Sequence, residues 1–293
     1  MQNITKHVVS MKFHPNAKIN IGLNITNRRP DGYHDIETVF YPVQLVDHVE
    51  VYDDGDWDTY PEDSFNMMVL IRWIGKQQDT SSYDALKGST GDNIVQKALA
   101  LLRQYCEVPP LEICLTKNIP VGAGLGGGSA DAAFFIREVN KRLSLGLTRD
   151  QLLEIASKLG SDCAFFIDNT PKYATGRGEI LQDVPSVLDG YKIKVIKPLF
   201  NISTKEAYSM VKPQKPETSL LEDFRRPVKE WRGLIKNDFE QFLFPLHPEL
   251  QRYKDALYES GALYASMTGS GSALFGIFEG DPVLSDEIRE LAV

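Results

Sequence analysis

The chain has 293 residues, 42% hydrophobic and 25% charged, which is typical of globular proteins and excludes disordered, collagen-like and coiled-coil chains. Its formal net charge of −8 argues against a nucleic-acid partner, because such a protein needs a basic face, so any anionic ligand must meet a local positive site. The N-terminal residues lack a signal-peptide pattern and no apolar run approaches the roughly 18 residues of a membrane span, so we expect a cytoplasmic protein without a membrane partner.

The first clear element is a strand over residues 18–25. Its apolar residues alternate strictly with Lys18, Asn20 and other small or polar residues, which predicts a half-buried strand. Pro30-Asp31-Gly32 predicts a tight turn, and extended patterns resume at 36–43 and 48–52. Residues 53–90 are acidic and weakly periodic, and their structure is not determined by pattern. An amphipathic helix is predicted over 92–105, with an inner face formed by Ile94, Ala98, Leu101 and Leu102.

A strand over 111–117 runs into a glycine-rich loop with five glycines between Gly122 and Gly128. Ser129 is predicted to cap the helix that follows, whose buried stripe contains Ala132, Ile136, Val139 and Leu143. A capping box from Thr148 to Gln151 predicts a second helix that ends at Gly160.

The remaining pattern predicts a second, separate part of an α+β protein. A hairpin over 173–181 and a strand over 191–198 are followed by helices over 203–211 and 248–260. Residues 262–279 read as two apolar strands joined by a second glycine-serine turn. A domain junction is expected between residues 185 and 190, and the irregular order of strands and helices favours α+β over a doubly wound sheet.

Three interpretations of the first glycine loop compete. A Walker A loop requires a lysine after its last glycine, and this chain has none there. Gly122, Gly124 and Gly127 match the dinucleotide-binding pattern, but that fold requires a returning parallel strand where residues 148–160 are predicted to be helical. A cradle of backbone N–H groups at a helix N-terminus, which binds a polyphosphate, is the hypothesis that remains. A turn kept only for close packing stays as the alternative.

Cysteine and histidine spacing predicts no metal site. Cys106, Cys114 and Cys163 contain no C-x-x-C pair, so neither a disulfide framework nor a zinc site is indicated, and buried, reduced thiols are expected.

Four segments carry a resemblance to the GHMP small-molecule kinases, in the order typical of that family: 17–40, 120–133, 159–166 and 266–278. The resemblance implies an α+β fold of two domains. Residues 1–187 are expected to form the N-terminal nucleotide-binding domain and residues 188–293 a ferredoxin-like C-terminal domain, with the active site in the cleft between them. The DGYH sequence at 31–34 resembles most closely the branch of the family that acts on a cytidine diphosphate-linked methylerythritol.

The resemblance also implies catalytic roles for Lys18 and Asp162. Phosphoryl transfer requires positioning, charge neutralisation and a group that orients or deprotonates the attacking hydroxyl. Asp162 is expected to be that group, as base or as orienter, with Lys18 as its electrostatic partner. Asp162 stands between a helix stop and an apolar run, so we expect it to be considerably buried. From residue types alone, a helix-capping aspartate and a solvated lysine remain alternatives.

Binding residues follow from the same resemblance. Asn93 and Lys117 are expected near the nucleotide, and Asn20, Tyr33, His34 and Phe200 near the substrate, with Tyr33 and Phe200 stacking on the cytosine. Mg²⁺ is expected to accompany ATP, with Ser129 as a near ligand and no dedicated metal site. The loop residues expected to bind ATP are Pro120, Val121, Gly122, Ala123, Gly124, Leu125, Gly126, Gly127, Gly128, Ser129 and Ala130.

The function implied is ATP-dependent phosphorylation of the 2-hydroxyl of the cytidine diphosphate-linked methylerythritol, in the non-mevalonate route to isoprenoid precursors. Two alternatives stay open: a GHMP kinase for another small alcohol, and a catalytically silent nucleotide-binding regulator with the same fold. The sequence does not determine the oligomeric state.

Overall fold

The computed structural model of this chain describes residues 8–53, 66–71, 93–109 and 111–293. Within them the strands are β1 (Val8–Phe13), β2 (Asn16–Arg28), β3 (His34–Val46), β4 (His48–Asp53), β5 (Asn66–Ile71), β6 (Glu112–Lys117), β7 (Lys172–Thr175), β8 (Ile180–Asp183), β9 (Lys192–Ile196), β10 (Tyr264–Met267) and β11 (Leu274–Phe278). The helices are α1 (Ile94–Leu102), α2 (Gly127–Arg142), α3 (Arg149–Leu159), α4 (Cys163–Asp168), α5 (Thr204–Met210), α6 (Leu220–Phe224), α7 (Glu240–Leu243), α8 (Pro248–Glu259) and α9 (Asp286–Arg289).

The strands form three sheets, with orders β1-β4-β6-β5, β2-β3-β7-β8 and β10-β11-β9. Neighbouring strands are antiparallel except for the parallel pair β5 and β6. In the third sheet a single antiparallel bridge joins Ile196 of β9 to Ala292. Residue 292 therefore occupies the position of the fourth strand in a ferredoxin-like sheet. The predicted α+β class is confirmed.

Most of the predicted elements are present, including the 173–181 hairpin and the capping box of α3. Strand β1 was not predicted. Of the weakly periodic segment 53–90, the structure describes only the end of β4 at Asp53 and the backbone of β5, and the rest lies outside the described residues. The predicted inner face of α1 is partly wrong, because its buried residues are Val95, Ala98, Leu99 and Leu102.

Strand β2 is buried on both faces over most of its length, which corrects the prediction of a half-buried strand. Its apolar face packs in the core, and its polar face is covered by the glycine loop that follows β6 and by the loop between β10 and β11. Lys18 and Asn20 are therefore buried rather than solvated. Two buried polar side chains on one strand face must be satisfied by specific partners, which marks this face as the centre of the site.

The two halves of the chain share a hydrophobic core. One cluster contains Ile19 and Ile21 of β2 together with Phe224, Trp231 and Tyr264 from the second half. Burial of these large side chains fixes the second half against β2 and so fixes the cleft between them. The exact boundary at residues 187 and 188 stays a prediction.

The cysteines are free, and Cys114 and Cys163 are buried, whereas Cys106 is half-buried. In the described part of the chain, no helix combines the length and the apolar character that crossing a membrane requires.

Candidate active site

The site is built where two glycine loops interlock over the polar face of β2. The backbone N–H of Lys18 donates to Leu125 O at 3.0 Å, and the N–H of Asn20 donates to Thr268 Oγ1 at 3.0 Å. Thr268 in turn donates to Gly124 O at 3.2 Å. Gly124 has φ +78°, and a Cβ there would overlap the carbonyl oxygen of Thr268, so only glycine fits this contact. The second glycine-serine turn therefore acts as a support for the first.

Gly126 precedes helix α2 and lies directly against Lys18. It has φ +71°, and a Cβ there would stand 3.1 Å from Lys18 Cγ and from the Phe166 ring. The predicted Ser129 cap is wrong: Gly126 occupies the cap position and no side chain caps this helix. The first-turn N–H groups of α2, which have no intrahelical acceptors, are thus left for an anion.

A cavity of about 290 Å³ lies on one side of the glycine loop. Asn93 and Lys117 line it together with all the loop residues from Pro120 to Ser129, as expected for a nucleotide pocket, whereas Ala130 is buried in the core. Asn93 also caps α1, because its Oδ1 accepts the N–H of Val95 at 2.9 Å.

Lys117 is the centre of a buried charge cluster beneath the loop. Its ammonium forms a short ion pair with Asp47 and a second with Asp131 at 2.6 Å. Asp47 Oδ1 also accepts the backbone N–H groups of Asn118 at 2.5 Å and Ile119 at 2.8 Å. The cluster therefore ties the end of β6 to helix α2 across the base of the loop, which the sequence did not predict.

The two carboxylates compete for one ammonium. Burial raises the pKa of Asp131 well above its ordinary range despite the opposing attraction of Lys117, and Asp47 adds to the rise. Burial alone would lower the pKa of Lys117, but the two carboxylates reverse that shift and raise it. Asp131 Oδ1 is buried without a hydrogen-bond partner, which agrees with a carboxyl group that favours its neutral form.

A larger cleft of about 910 Å³ lies on the other side of the loop. Gly124 and Gly126 line both this cleft and the smaller cavity, so the two spaces meet at these glycines. Lys18 and Asp162 also line the cleft. A phosphoryl group bound by the loop would therefore face a second ligand in the cleft, at the position of this lysine and this aspartate.

Lys18 and Asp162 form an ion pair at this junction. The distance from Lys18 Nζ to Asp162 Oδ2 is 3.3 Å, and their side chains are 4% and 32% exposed. Asp162 is thus partly buried: it stands before the short helix α4 and opens into the cleft. Asp162 occupies the N-cap position of α4, but its carboxylate makes no capping hydrogen bond there.

Lys18 is held in place by its surroundings. Its ammonium donates to Asn20 Oδ1 at 2.6 Å and lies 4.9 Å from the centroid of the Phe40 ring. Asn20 Nδ2 donates to Thr38 Oγ1 at 3.0 Å, which fixes the orientation of the amide and leaves one N–H for a ligand. Asn20 lines the cleft as expected and also positions Lys18.

Tyr33 and His34 line the opposite end of the cleft. Tyr33 is 57% exposed, which is unusual for a large aromatic side chain, and the guanidinium carbon of Arg177 lies 4.9 Å from the centroid of its ring. His34 stacks on Tyr208 at a centroid distance of 5.2 Å. Burial, with a smaller effect from Arg28, lowers the pKa of His34, so the imidazole is neutral at pH 7 and both donates and accepts hydrogen bonds.

Phe200 is not among the residues that line the cleft, which departs from the expected position of the second aromatic wall. Its ring stacks on His247 at 5.0 Å. Tyr208 of α5 lines the cleft, and burial together with the nearby Asp162 raises its pKa to about 12. The sequence did not indicate Tyr208, because it lies on a predicted helix whose orientation depends on tertiary packing.

The oxygen groups beside the loop fit a nucleotide-borne Mg²⁺. Ser129 and Asp162 both interact with the thiol of Cys163. Burial raises the pKa of that thiol to about 12. Among the described residues no group of three or more His, Cys, Asp or Glu side chains forms a metal site. Mg²⁺ commonly relies on phosphate oxygens, water and one or two protein oxygens, so a hydroxyl and a carboxylate suffice.

Comparison with known proteins agrees with this geometry. Residues 93–169 match the family model of the GHMP kinases N terminal domain, and residues 220–291 match that of the GHMP kinases C terminal. The 4-diphosphocytidyl-2-C-methyl-D-erythritol kinase of Parabacteroides distasonis is 49% identical over 265 residues, covering 90% of each chain. The protein of the same name from Bacteroides fragilis is 47% identical over 264 residues, again covering 90% of each chain.

Solved structures give the same relation. A 4-(cytidine 5'-diphospho)-2C-methyl-D-erythritol kinase matches with a TM-score of 0.68 and 29% identity, covering 92% of this chain and 91% of that one. A mevalonate kinase matches with a TM-score of 0.62 at 11% identity, covering 92% and 91%, which shows a shared fold only.

Proposed function

Since the chain belongs to the GHMP kinases, among the 4-diphosphocytidyl-2-C-methyl-D-erythritol kinases, we propose that it transfers the γ-phosphoryl group of ATP to the 2-hydroxyl of that cytidine diphosphate-linked alcohol. The products are the 2-phosphate and ADP, in the non-mevalonate route to isoprenoid precursors. The observation that carries the proposal is the Lys18–Asp162 pair, 3.3 Å apart, at the junction of the loop cavity and the cleft.

The glycine loop and the residues at the junction with the cleft both contribute to the transfer. The N–H groups of the glycine loop and of the first turn of α2 hold the phosphates of ATP. Asp162 accepts a hydrogen bond from the substrate hydroxyl and directs it at the γ-phosphorus, and it takes the proton as the new O–P bond forms. Lys18 fixes the carboxylate and offsets charge on the transferred group. A loose transition state needs little activation of the nucleophile, so orientation contributes more than basicity.

The cytidine end of the substrate supports this substrate over another alcohol. Tyr33 offers an exposed ring for stacking, Tyr208 supplies a second aromatic side chain, and the neutral His34 both donates and accepts hydrogen bonds. A cytosine presents a π-face and a mixed donor and acceptor edge, which these groups complement. Mevalonate, homoserine and galactose have no aromatic ring that could stack on these side chains.

Three further expectations stay predictions. Mg²⁺ bound with ATP would neutralise phosphate charge, with Ser129 as a near ligand. A cytoplasmic location and the lack of a nucleic-acid partner are the other two.

Steady-state ADP release tests the proposed reaction. We expect rapid release with 4-diphosphocytidyl-2-C-methyl-D-erythritol and little release with mevalonate, homoserine or galactose. Preference for any of the last three would support a GHMP kinase for another alcohol. No release with any alcohol, together with tight ATP binding, would support the silent regulator.

A further inference from the structure

The walls of the 910 Å³ cleft have a charge opposite to that of the protein. The whole chain carries a formal charge of −8, whereas the basic side chains that line the cleft outnumber the acidic ones five to one. Local excess of one sign in a cleft raises the concentration of ligands of the other sign. The basic residues are Lys18, Arg28, Arg177, Lys205 and Lys212, and the acidic one is Asp162.

The reaction chemistry accounts for Lys18 alone. Arg28, Lys205 and Lys212 are exposed and make no ion pair with a described carboxylate. Arg177 approaches Glu179 at 3.7 Å, which is long for an ion pair, and its charge also contributes to the lowered pKa of Asp31. Four cations in one cleft without close partners repel one another, so a ligand that neutralises them gains free energy on binding.

Arg177 is placed next to the aromatic end of the cleft. It lies in the turn between β7 and β8, and its guanidinium carbon is 4.9 Å from the centroid of the Tyr33 ring. A guanidinium stacked on a ring keeps its N–H donors at the edge, where they form bidentate hydrogen bonds to phosphate. The opposite wall is α5, which carries Lys205 at its start and is followed by Lys212.

The connectivity of the substrate places its diphosphate in the same region. The cytosine is held at Tyr33 and Tyr208, and the reacting hydroxyl is held at Lys18 and Asp162. The diphosphate joins these two ends of the molecule, so it has to cross the cleft between them.

We propose that Arg177, with Arg28 beside it and Lys205 and Lys212 on the facing wall, binds the diphosphate of the cytidine-linked substrate. The diphosphate is then a specificity determinant in its own right, in addition to the base. This inference rests on the proposed function.

Binding of cytidine and of CDP, measured by titration calorimetry without divalent metal, separates the base from the diphosphate. A saturating non-hydrolysable ATP analogue keeps CDP out of the loop cavity. We expect CDP to bind the wild-type protein at least about tenfold more tightly than cytidine, as charge-assisted hydrogen bonds to a diphosphate imply. Arg177→Gln should remove most of this ratio and leave cytidine affinity unchanged, and Arg177→Lys should restore part of it. The ratio should also shrink as salt is added.

Arg225→Gln is the matched control, because Arg225 is exposed and does not line the cleft, and it should keep the wild-type ratio. Unchanged cytidine affinity in Arg177→Gln verifies that the variant is folded. A wild-type ratio in Arg177→Gln overturns this inference and leaves the proposed function standing. Failure of both cytidine and CDP to bind the wild-type protein overturns both.

Discussion

At the scale of single residues, the sequence indicated the catalytic pair Lys18 and Asp162 but not how buried each side chain is. The family resemblance indicated the pair, but strand alternation placed Lys18 on a solvated face. In the structure Lys18 is buried, and the side chain of Asp162 is about one-third exposed. The reason is tertiary: two loops far apart in sequence cover the polar face of β2, and only the cleft side of Asp162 stays open.

Replacing the carboxylate tests its role. Asp162→Asn should lower kcat by orders of magnitude, because the amide neither accepts the proton nor aims the hydroxyl, while ATP affinity changes little. Stopped-flow binding and steady-state turnover on the same sample measure both. Turnover near the wild-type rate would remove Asp162 from the mechanism.

The buried cluster of Lys117, Asp47 and Asp131 makes a prediction about stability. Lys117→Met leaves the buried Asp47 carboxylate without a cation and should cost about 3–5 kcal/mol of unfolding free energy. Asp131→Asn removes the competing acid and should be far milder. Because the folded-state pKa of Asp131 is raised, the native wild-type protein binds more protons than the unfolded chain, and its stability falls as pH rises above about 4.

The stability of Asp131→Asn relative to the wild-type protein should therefore increase from pH 5 to pH 8. Urea unfolding at both pH values measures it. Equal losses in Asp131→Asn and Lys117→Met would show that Asp131 is an ordinary ionised partner.

His34 predicts a pH dependence of substrate binding. Its pKa is lowered from the ordinary 6.5, so the neutral imidazole persists at and just below that pH and the charged form appears only in more acid solution. The KM for the cytidine-linked substrate should be constant from pH 8 to about 6.5 and should rise below that range. In His34→Gln the acid limb of the KM profile should disappear. An identical acid limb in the variant would assign it to another group.

At the scale of elements, the glycine loop shows what a sequence pattern can and cannot specify. Five glycines before a helix correctly predicted bare backbone at a helix N-terminus. The pattern did not show that Gly126, rather than Ser129, occupies the cap, since Gly126 has a left-handed φ and packs against Lys18 and Phe166 from other parts of the chain. The position of Phe200 could not be predicted for the same kind of reason, because tertiary packing stacks its ring on His247 and turns Tyr208 of α5 towards the cleft.

Gly128 separates a phosphate cradle from a simple turn. Its φ is ordinary and an added Cβ would meet only Ile94 Cγ2, at 3.6 Å, so Gly128→Ala should fold and gain up to about 1 kcal/mol from reduced chain entropy. If the loop binds phosphate, the new methyl group should weaken ATP binding about tenfold. Fluorescence titration with an ATP analogue measures this effect.

Gly280→Ala is the control, because a Cβ there meets nothing within 4 Å and the residue lines neither cavity. It should leave ATP affinity unchanged. Wild-type affinity in Gly128→Ala would mean that the loop is kept for packing alone.

At the scale of the whole molecule, the site exists because the two halves share a core. Ile19 and Ile21 pack with Phe224, Trp231 and Tyr264, which holds the second half over β2 and brings Thr268 against the glycine loop. The α+β class and the order of elements were predictable from local patterns and family resemblance. The junction between the two cavities was not predictable, because it is formed by residues more than 100 positions apart in the sequence. Examples are the contact of Lys18 with Asp162 and that of Asn20 with Thr268.

The most direct test is a crystal structure with a non-hydrolysable ATP analogue and 4-diphosphocytidyl-2-C-methyl-D-erythritol bound together. We expect the phosphates on the backbone N–H groups that open α2 and the γ-phosphorus about 3–3.5 Å from the 2-hydroxyl oxygen. Asp162 should accept a hydrogen bond from that hydroxyl. Phosphates bound away from the glycine loop, or a hydroxyl out of reach of both Lys18 and Asp162, would contradict the proposed mechanism.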